Sequence, residues 1–417
     1  MIIYFSVQNF RSIRDKVTLD FRATPRKELA EHYIQEFPDL RLKLLKMAMI
    51  FGKNASGKTN ILRAIEFLRS FVRNEAIDKD LPTGVQPFAL DRDKNSEFEV
   101  KFVYENVVYL YQLILNQAYI EKEHLYYWPN GKKTCVFKRD RTDGKYSYLW
   151  PNAKASKTLT ENLELTIPNQ TVLASLKKFN YSGPIQQAYD WFRNTLAKIV
   201  YPDTTLVDWN QTYFLNEDCF SEFKDFYVHQ LQIADFNIQD ISVNRKEEEI
   251  FKIPILKFIN YMKKTKESEV PDKIPIDEII LRHHVSDGDY LLDIAEQSAG
   301  TIRFFEFCGF LCWLKQNDII LPIDEIERAM HEDLIKHFIS AYLIYAEKSQ
   351  IILTSHNSSI LDMKDIIRRD TIWIADRLEN GSTELTRLSN YQIKKEHSIG
   401  NLFRKGLLGG KPKIGFI

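Results

Sequence analysis

The chain counts 417 residues, 57 of them Lys or Arg and 57 Asp or Glu, for a formal net charge of +0; 44% is hydrophobic, 13% aromatic and 27% charged. This composition excludes a mini-protein, a mainly disordered chain and a collagen-like one, and the length suggests two or three packing units. With no overall positive field to steer the protein onto nucleic acid or anionic lipid, any DNA contact has to be a local patch.

Ile2, Tyr4 and Phe5 open a strand that a short turn at Ser12 to Asp15 folds back onto Val17, Leu19 and Phe21, giving a hairpin. Leu44 to Phe51 is a near-continuous apolar run, the pattern of a strand buried on both faces, and it stops at Gly52. From Thr59 the apolar residues Ile61, Leu62, Ile65, Leu68 and Phe71 recur at helical spacing. Between Ser96 and Tyr148 the period falls to two, with a turn at Pro129-Asn130-Gly131, so an antiparallel meander is predicted. Residues 171 to 262 read as mostly helical, an inserted lobe, and the polar stretch Lys263 to Lys273 as its solvated exit. Two further apolar strands, Ile319 to Ile323 and Gln350 to Thr354, flank a helix near 331 to 348 and make a βαβ unit with a parallel sheet. The expected division is 1–155, a β-rich N-terminal lobe; 156–275, the helical lobe; and 276–417, a C-terminal α/β lobe.

Cys135, Cys219, Cys308 and Cys312 are too few and too scattered for a disulfide framework, and no zinc-finger spacing accompanies them; Cys308 and Cys312 read as core of one helix. The start, Met1 to Phe10, lacks the basic residues and apolar run of a signal peptide, and no window of about 18 residues is apolar throughout. The expectation is a soluble, cytoplasmic protein without membrane contact.

Gly52-Lys53-Asn54-Ala55-Ser56-Gly57-Lys58-Thr59 fits G-x-x-x-x-G-K-[ST] between a buried strand and a helix, the context in which that pattern cradles phosphate. The glycines let backbone N–H groups turn inward, the helix N-terminus favours an anion, Lys58 offers a positive charge to the β and γ phosphates, and Thr59 can ligate Mg2+. The nucleotide-binding candidates here are Gly52, Asn54, Ala55, Ser56, Gly57, Lys58, Thr59 and Asn60. Asp324, at the end of the apolar strand from Ile319, is the second metal residue, and Glu325 beside it the general base for an attacking water. His356, closing the next strand in Thr354-Ser355-His356-Asn357, is placed to touch a γ-phosphate or that water, which makes Glu325, His356 and Lys58 the catalytic set. Ser298, Gly300 and Thr301 open another helix and form a second anion cradle. Two cradles are explained if each faces the other's partner across a symmetric dimer with two nucleotides between them.

The order of these motifs resembles the ATP-binding-cassette ATPases of the SMC, RecF and OLD branch, and within it the RloA-type ATPases of bacterial restriction and phage-defence loci. The matching pieces are Val7 to Ile13, Gly52 to Thr59, Gln86-Pro87-Phe88, Ser298 to Thr301, Asp324 to Glu327 and Gly409 to Pro412. The resemblance implies an α/β P-loop NTPase of the ABC-type head class, with ATP and Mg2+ as cofactors and Gln86 as the residue sensing the γ-phosphate. It implies a homodimer or higher homo-oligomer. Ser-Ala-Gly-Thr in place of Leu-Ser-Gly-Gly-Gln argues against a transporter subunit, and no Asp-x-Asp pair of a Toprim nuclease follows His356, so an effector nuclease or toxin is expected from a separate gene. The function implied is an ATP-hydrolysing switch in anti-phage defence. A RecF-like, ATP-dependent DNA clamp is the alternative, with Arg11, Arg14, Lys16, Arg22, Arg26 and Lys27 as its candidate phosphate patch, although a charge run is usually only a solvated face. A kinase or GTPase is disfavoured, because no Asn-Lys-x-Asp motif is present and Glu325 suits a water better than an acceptor hydroxyl.

Overall fold

A computed structural model describes residues 1–151, 161, 165–175, 182–214, 220–234, 236–249, 271–394 and 397–409. Its strands along the chain are β1 Ile2–Gln8, β2 Val17–Asp20, β3 Ile34–Phe37, β4 Leu42–Leu45, β5 Met47–Phe51, β6 Ser96–Tyr104, β7 Val107–Leu115, β8 Ile120–Tyr127, β9 Thr134–Thr142, β10 Lys145–Leu149, β11 Ile238–Glu249, β12 Lys273–Val285, β13 Gly288–Asp293, β14 Ile320–Ile323, β15 Gln350–Ser355, β16 Ile372–Arg377 and β17 Thr383–Arg387. Two compact units form, one from Met1–Pro202, Leu314–Arg328 and Ile339–Ile417, the other from Asp203–Trp313 and Ala329–Phe338. Each gathers non-consecutive stretches, unlike the consecutive segments expected.

In the first unit the predicted hairpin and meander join one antiparallel sheet in the order β10-β9-β8-β7-β6-β1-β2. Period-two alternation sets its faces: Phe98, Val100 and Phe102 of β6 are buried while Glu97, Glu99 and Lys101 are partly or fully exposed. The helix Lys58–Arg73 lies against the buried face, with the Phe67 ring centroid 5.1 Å from that of Phe98. At the far side of this sheet Arg139 and Glu123 face each other at 3.8 Å with no exposure of either side chain. Arg139 donates to the carbonyls of Gln170, Thr166 and Ile167, and Glu123 accepts from the Tyr111 hydroxyl and the Val172 N–H, so both buried charges have several partners. Burial raises the Glu123 carboxyl, against Arg139 and these donors.

The second sheet of this unit runs β14-β15-β5-β16-β17, parallel from β14 to β16 and antiparallel at β17, as the βαβ reading required. All five residues of β5 are buried, which is what a central strand covered on both faces needs. The apolar run read as one strand is divided at Lys46, which leaves β4 to pair with β3 while β5 enters the parallel sheet. The Lys46 ammonium donates to the carbonyls of Leu343 and Ala346, 3.0 and 2.8 Å away, at the end of the helix Glu332–Tyr345. A cation there meets unpaired helix carbonyls, and burial lowers its pKa to about 8.

The second unit carries the helices Val207–Phe214 and Phe220–Ile233, most of Ala299–Gln316, and a sheet in the order β11-β12-β13. β11 corrects the reading of 171–262 as mostly helical: Ile238, Ile241 and Val243 pair across to β12, and Arg245 and Lys246 stand opposite Asp277 and Ile276. Cross-strand partners 30 and more residues away, invisible to a local window, settle this segment as strand. Residues 250–262 and most of the expected exit 263–273 fall outside the described residues, as does Gly410 to Pro412, while Lys273 opens β12. Gly309 is needed at a close approach, since a Cβ there would lie 1.9 Å from the Asn210 side-chain oxygen. Cys308 and Cys312 are buried free thiols in this helix core, as read; Cys219 lies outside the described residues. Among the described residues no helix is long and apolar enough to cross a membrane.

Candidate functional site

The loop from Gly52 to Gly57 leaves the carboxyl end of β5 and runs into the helix Lys58–Arg73. Ala55 and Gly57 both take positive φ, 62° and 98°, which turns successive N–H groups toward one concavity. At Gly57 a side chain is excluded twice over, because a Cβ would also meet the Thr383 hydroxyl at 1.9 Å. That threonine and Ser12 brace the loop from outside: Ser12 Oγ lies 2.7 Å from Thr383 Oγ1 and accepts from the Asn60 amide at 2.8 Å, while the Thr383 hydroxyl donates to the Ser56 carbonyl at 3.0 Å. The opening motif Val7 to Ile13 therefore underpins the loop. Its Asn9 is buried, donates to the carbonyls of Asp91, Lys94 and Asn95, and accepts the Phe88 N–H.

Lys58 is buried and curls into the loop, donating to the carbonyls of Gly52 and Lys53 at 2.8 and 3.0 Å. Burial holds its ammonium below the ordinary lysine value, against the pull of Glu327, Glu325 and Asp324. The Thr59 hydroxyl is 3.0 Å from each Asp324 oxygen, and the Thr354 hydroxyl donates to Asp324 Oδ1 at 2.6 Å. Three adjacent elements, the helix after β5 and the ends of β14 and β15, thus converge on one buried carboxylate. The donor set of a hydroxyl and a carboxylate, all hard oxygen, fits Mg2+, which takes few protein ligands and fills the rest from phosphate and water. Ser56 Oγ is buried in the loop without a partner among the described residues, so the cradle retains unused hydrogen-bonding capacity. Glu325 follows with φ 49° and its N–H on the Thr354 hydroxyl at 2.9 Å, a left-handed turn that separates its side chain from that of Asp324.

One residue of this cluster had no role in the sequence reading. Glu327 Oε1 sits 2.7 Å from His356 Nδ1 and also accepts the His356 N–H, while its Oε2 is buried without a partner among the described residues. Because an ionised carboxylate only accepts, the Nδ1 proton of His356 is fixed on the Glu327 side and Nε2 is left outward on a half-exposed ring. The signal for it was the second glutamate of Asp324-Glu325-Ile326-Glu327, but only the fold puts that glutamate under the histidine. Thr383 carried no signal at all.

Lys58, Thr59, Asp324, Glu325 and His356 all belong to the first unit. Gln86 is in it too, but its side chain is exposed and its recorded bond is to the opening motif, the carbonyl accepting the Arg11 N–H at 2.7 Å. Ser298, Gly300 and Thr301 lie in the second unit, where exposed Ser298 caps its helix by accepting the Thr301 N–H at 3.1 Å. Four of the six basic residues of the early patch are engaged: Arg14 by Asp91, Lys16 by Glu99, Arg22 by Asp20 and Arg26 by Glu28. That pairing is the signature of a solvated face.

A parallel sheet with such a loop after its central strand, and an acidic strand end hydrogen-bonded to the loop's threonine, defines a P-loop ATPase of mixed α/β fold. The family described as "AAA domain, putative AbiEii toxin, Type IV TA system" matches residues 47–362, and the chain belongs to it. No curated protein matches the chain. Among solved structures it resembles an SMC head bound to the C-winged helix domain of ScpA, at 14% identity and a TM-score of 0.44 over 92% of this chain and 97% of that one. It also resembles the SMC head domain from Thermotoga maritima, at 12% identity and a TM-score of 0.43 over 93% and 98%. A third likeness is to an Smc head domain with an extended coiled coil bound to the C-terminal domain of ScpA, derived from Pyrococcus furiosus, at 13% identity and a TM-score of 0.42 over 92% and 95%.

Proposed function

We propose that the chain binds and hydrolyses ATP with Mg2+ at the Gly52 to Thr59 loop and uses the cycle as a switch. The supporting observation is the bonded set Thr59–Asp324–Thr354 beside a buried, loop-facing Lys58. On this reading Lys58 leaves the Gly52 and Lys53 carbonyls for the β and γ phosphates, and the N–H groups of Asn54, Ala55, Gly57, Lys58 and Thr59 meet the remaining phosphate oxygens, those of Ser56 and Asn60 being taken by the Lys53 and Gly57 carbonyls. Thr59 and Asp324 would hold the metal, which when bound would neutralise charge on the phosphates. Glu325 orients the water and takes its proton, and His356, oriented by Glu327, presents Nε2 to the γ-phosphate. Gln86 is proposed as the γ-phosphate sensor.

Ser298, Gly300 and Thr301 are proposed to close over the nucleotide of a second copy, making the working unit a homodimer. A separately encoded nuclease or toxin is the proposed effector, in anti-phage defence of the RloA kind, within the cytoplasm. The DNA clamp remains the second reading and would require a phosphate contact other than the largely paired patch at Arg11 to Lys27.

Two measurements test it. Glu325→Gln keeps shape and loses the base, so phosphate release should fall about a hundredfold while a nucleotide-bound dimer accumulates in light scattering; wild-type turnover removes the assigned base. Ser298→Arg and Lys58→Ala chains, each inactive alone, should restore part of the activity on mixing, because one of the two shared sites is then intact. No restoration at any ratio removes the dimer.

A further inference from the structure

The helix that begins at the phosphate loop ends elsewhere in the first unit, in a second polar cavity. At about 1.5 Å per residue its last turn lies roughly 20 Å along the axis from Lys58. The cavity there, of about 560 Å3, is lined by Arg69, Ser70, Arg73, Asn74, Tyr189 and Arg193. Among the described residues half the lining is arginine and none of it is acidic, in a chain whose net charge is +0.

The arginines are unequal. Arg69 is tied into the frame, with Nε on the Leu196 carbonyl at 2.6 Å and Nη1 on Glu66 at 3.1 Å. Glu66 is spent on the same frame, since it also accepts the Ser70 hydroxyl at 2.9 Å and the Ile199 N–H at 3.3 Å. Arg73 and Arg193 form no ion pair among the described residues. Arg73 is half-buried in the last turn of its helix and Arg193 lies in the last turn of another, so two helix ends bring their cations to one cavity. Arg193 sits in the π-helical turn Trp191–Thr195, where Trp191 stacks on Phe102 at 3.8 Å and Phe192 packs edge-on to Tyr111. Pinning those two rings inward leaves Arg193 exposed at the cavity. Burial, then the like charge of Arg73, lowers Arg69 against Glu66, and burial raises the Tyr189 phenol while Arg193 and Arg73 oppose it. Of the nearby acids, Asp190 accepts the Gln186 amide at 2.9 Å, and Glu75 has its own contact.

We propose that this cavity binds a phosphate group of a phosphorylated ligand, gripped by the guanidinium forks of Arg73 and Arg193 with Asn74 and the Tyr189 hydroxyl as neutral donors. Planar forks match phosphate oxygens two at a time, and an anion is what two uncompensated guanidinium groups beside a third lack. The triphosphate of the P-loop cannot be that ligand, given the distance along the helix. Either a nucleic-acid strand or a small phosphorylated metabolite supplies this chemistry.

The test uses the full chain carrying Lys58→Ala, so that the P-loop does not compete, with two probes: a fluorescent single-stranded oligonucleotide and pyrophosphate, followed by anisotropy and calorimetry at low salt. Arg73→Gln with Arg193→Gln should weaken binding about tenfold or more, with the melting temperature unchanged. For the strand, the slope of log affinity against log salt should also fall by about 0.7 for each lost contact. The pair Arg73→Lys with Arg193→Lys keeps the charge, loses the fork and should be intermediate. Tight binding of the strand alone names a polymer; equal binding of pyrophosphate names a small phosphorylated ligand. Binding of neither probe, or binding indifferent to the glutamine pair, overturns the proposal. Loss of ATP turnover in the Lys58 chain tests the P-loop separately and leaves this outcome untouched.

Discussion

The parallel sheet of the first unit and the β11-β13 sheet of the second handle charge in opposite ways. In the parallel strands β14, β15, β5 and β16 the middles are apolar and polar groups sit at the ends, where the buried ones are bonded several times over. Asp324 takes two hydroxyls at one end, and at the other Asp370, just before β16, takes Arg368 at 2.7 Å with the Thr24 N–H and hydroxyl at 2.9 and 2.6 Å. The three-stranded sheet spreads its ions across its surface, as in Arg245 with Asp277 or Arg282 with Asp289. A polar group out of water must be fully paired, and full pairing fixes its position; one in water need not be, and its pairing fixes little. Chemistry that depends on atomic placement is therefore expected at the first sheet.

The largest test of that contrast is Lys58→Ala, which should lower ATP turnover about a hundredfold or more by removing one pre-placed charge, measured as phosphate release. Survival of turnover would break the comparison at its functional end. Next, Arg139→Ala leaves Glu123 buried and uncompensated and should cost about 3–5 kcal/mol in denaturant unfolding; a cost below about 1 would mean that water reaches the site.

Asp370→Asn should cost about 1–3 kcal/mol near neutral pH, and the cost should depend on pH with a definite sign. Burial alone would raise this carboxyl, but Arg368 and Thr24 outweigh it and hold it below its ordinary value of 3.8. A depressed carboxylate contributes its stability above the unfolded value and loses it as pH falls through the folded one, so the gap between variant and wild type should close below about pH 4. A gap independent of pH would show that the ion is not what matters there. Smallest of all, Arg245→Ala in the exposed ladder should leave the unfolding midpoint within replicate scatter.

Much of the site was legible because its chemistry is written in short range. Gly52 to Thr59 states its own backbone requirement, and Asp324-Glu325 and His356 each end an apolar run that can only be a buried strand. What was not legible depends on residues far apart in the chain. Thr383 braces Gly57 across the sheet, Glu327 lies under His356 because β14 and β15 are neighbours in register, and Arg193 meets Arg73 only through the packing of Trp191. The misread strand β11 has the same origin, since its partner β12 is separated from it by residues that carry no matching period.

By itself, then, the sequence determined the elements whose period or turn chemistry is local: the P-loop, the meander, the βαβ unit and the strand that ends in Asp324 and Glu325. Tertiary structure alone decided which polar groups stand together, that Lys46 divides an apolar run, that Glu327 lies against His356 and that Arg193 shares a cavity with Arg73. The reason is that a side chain's spacing is read along the chain, whereas its desolvation and its partners are fixed only once distant segments close around it.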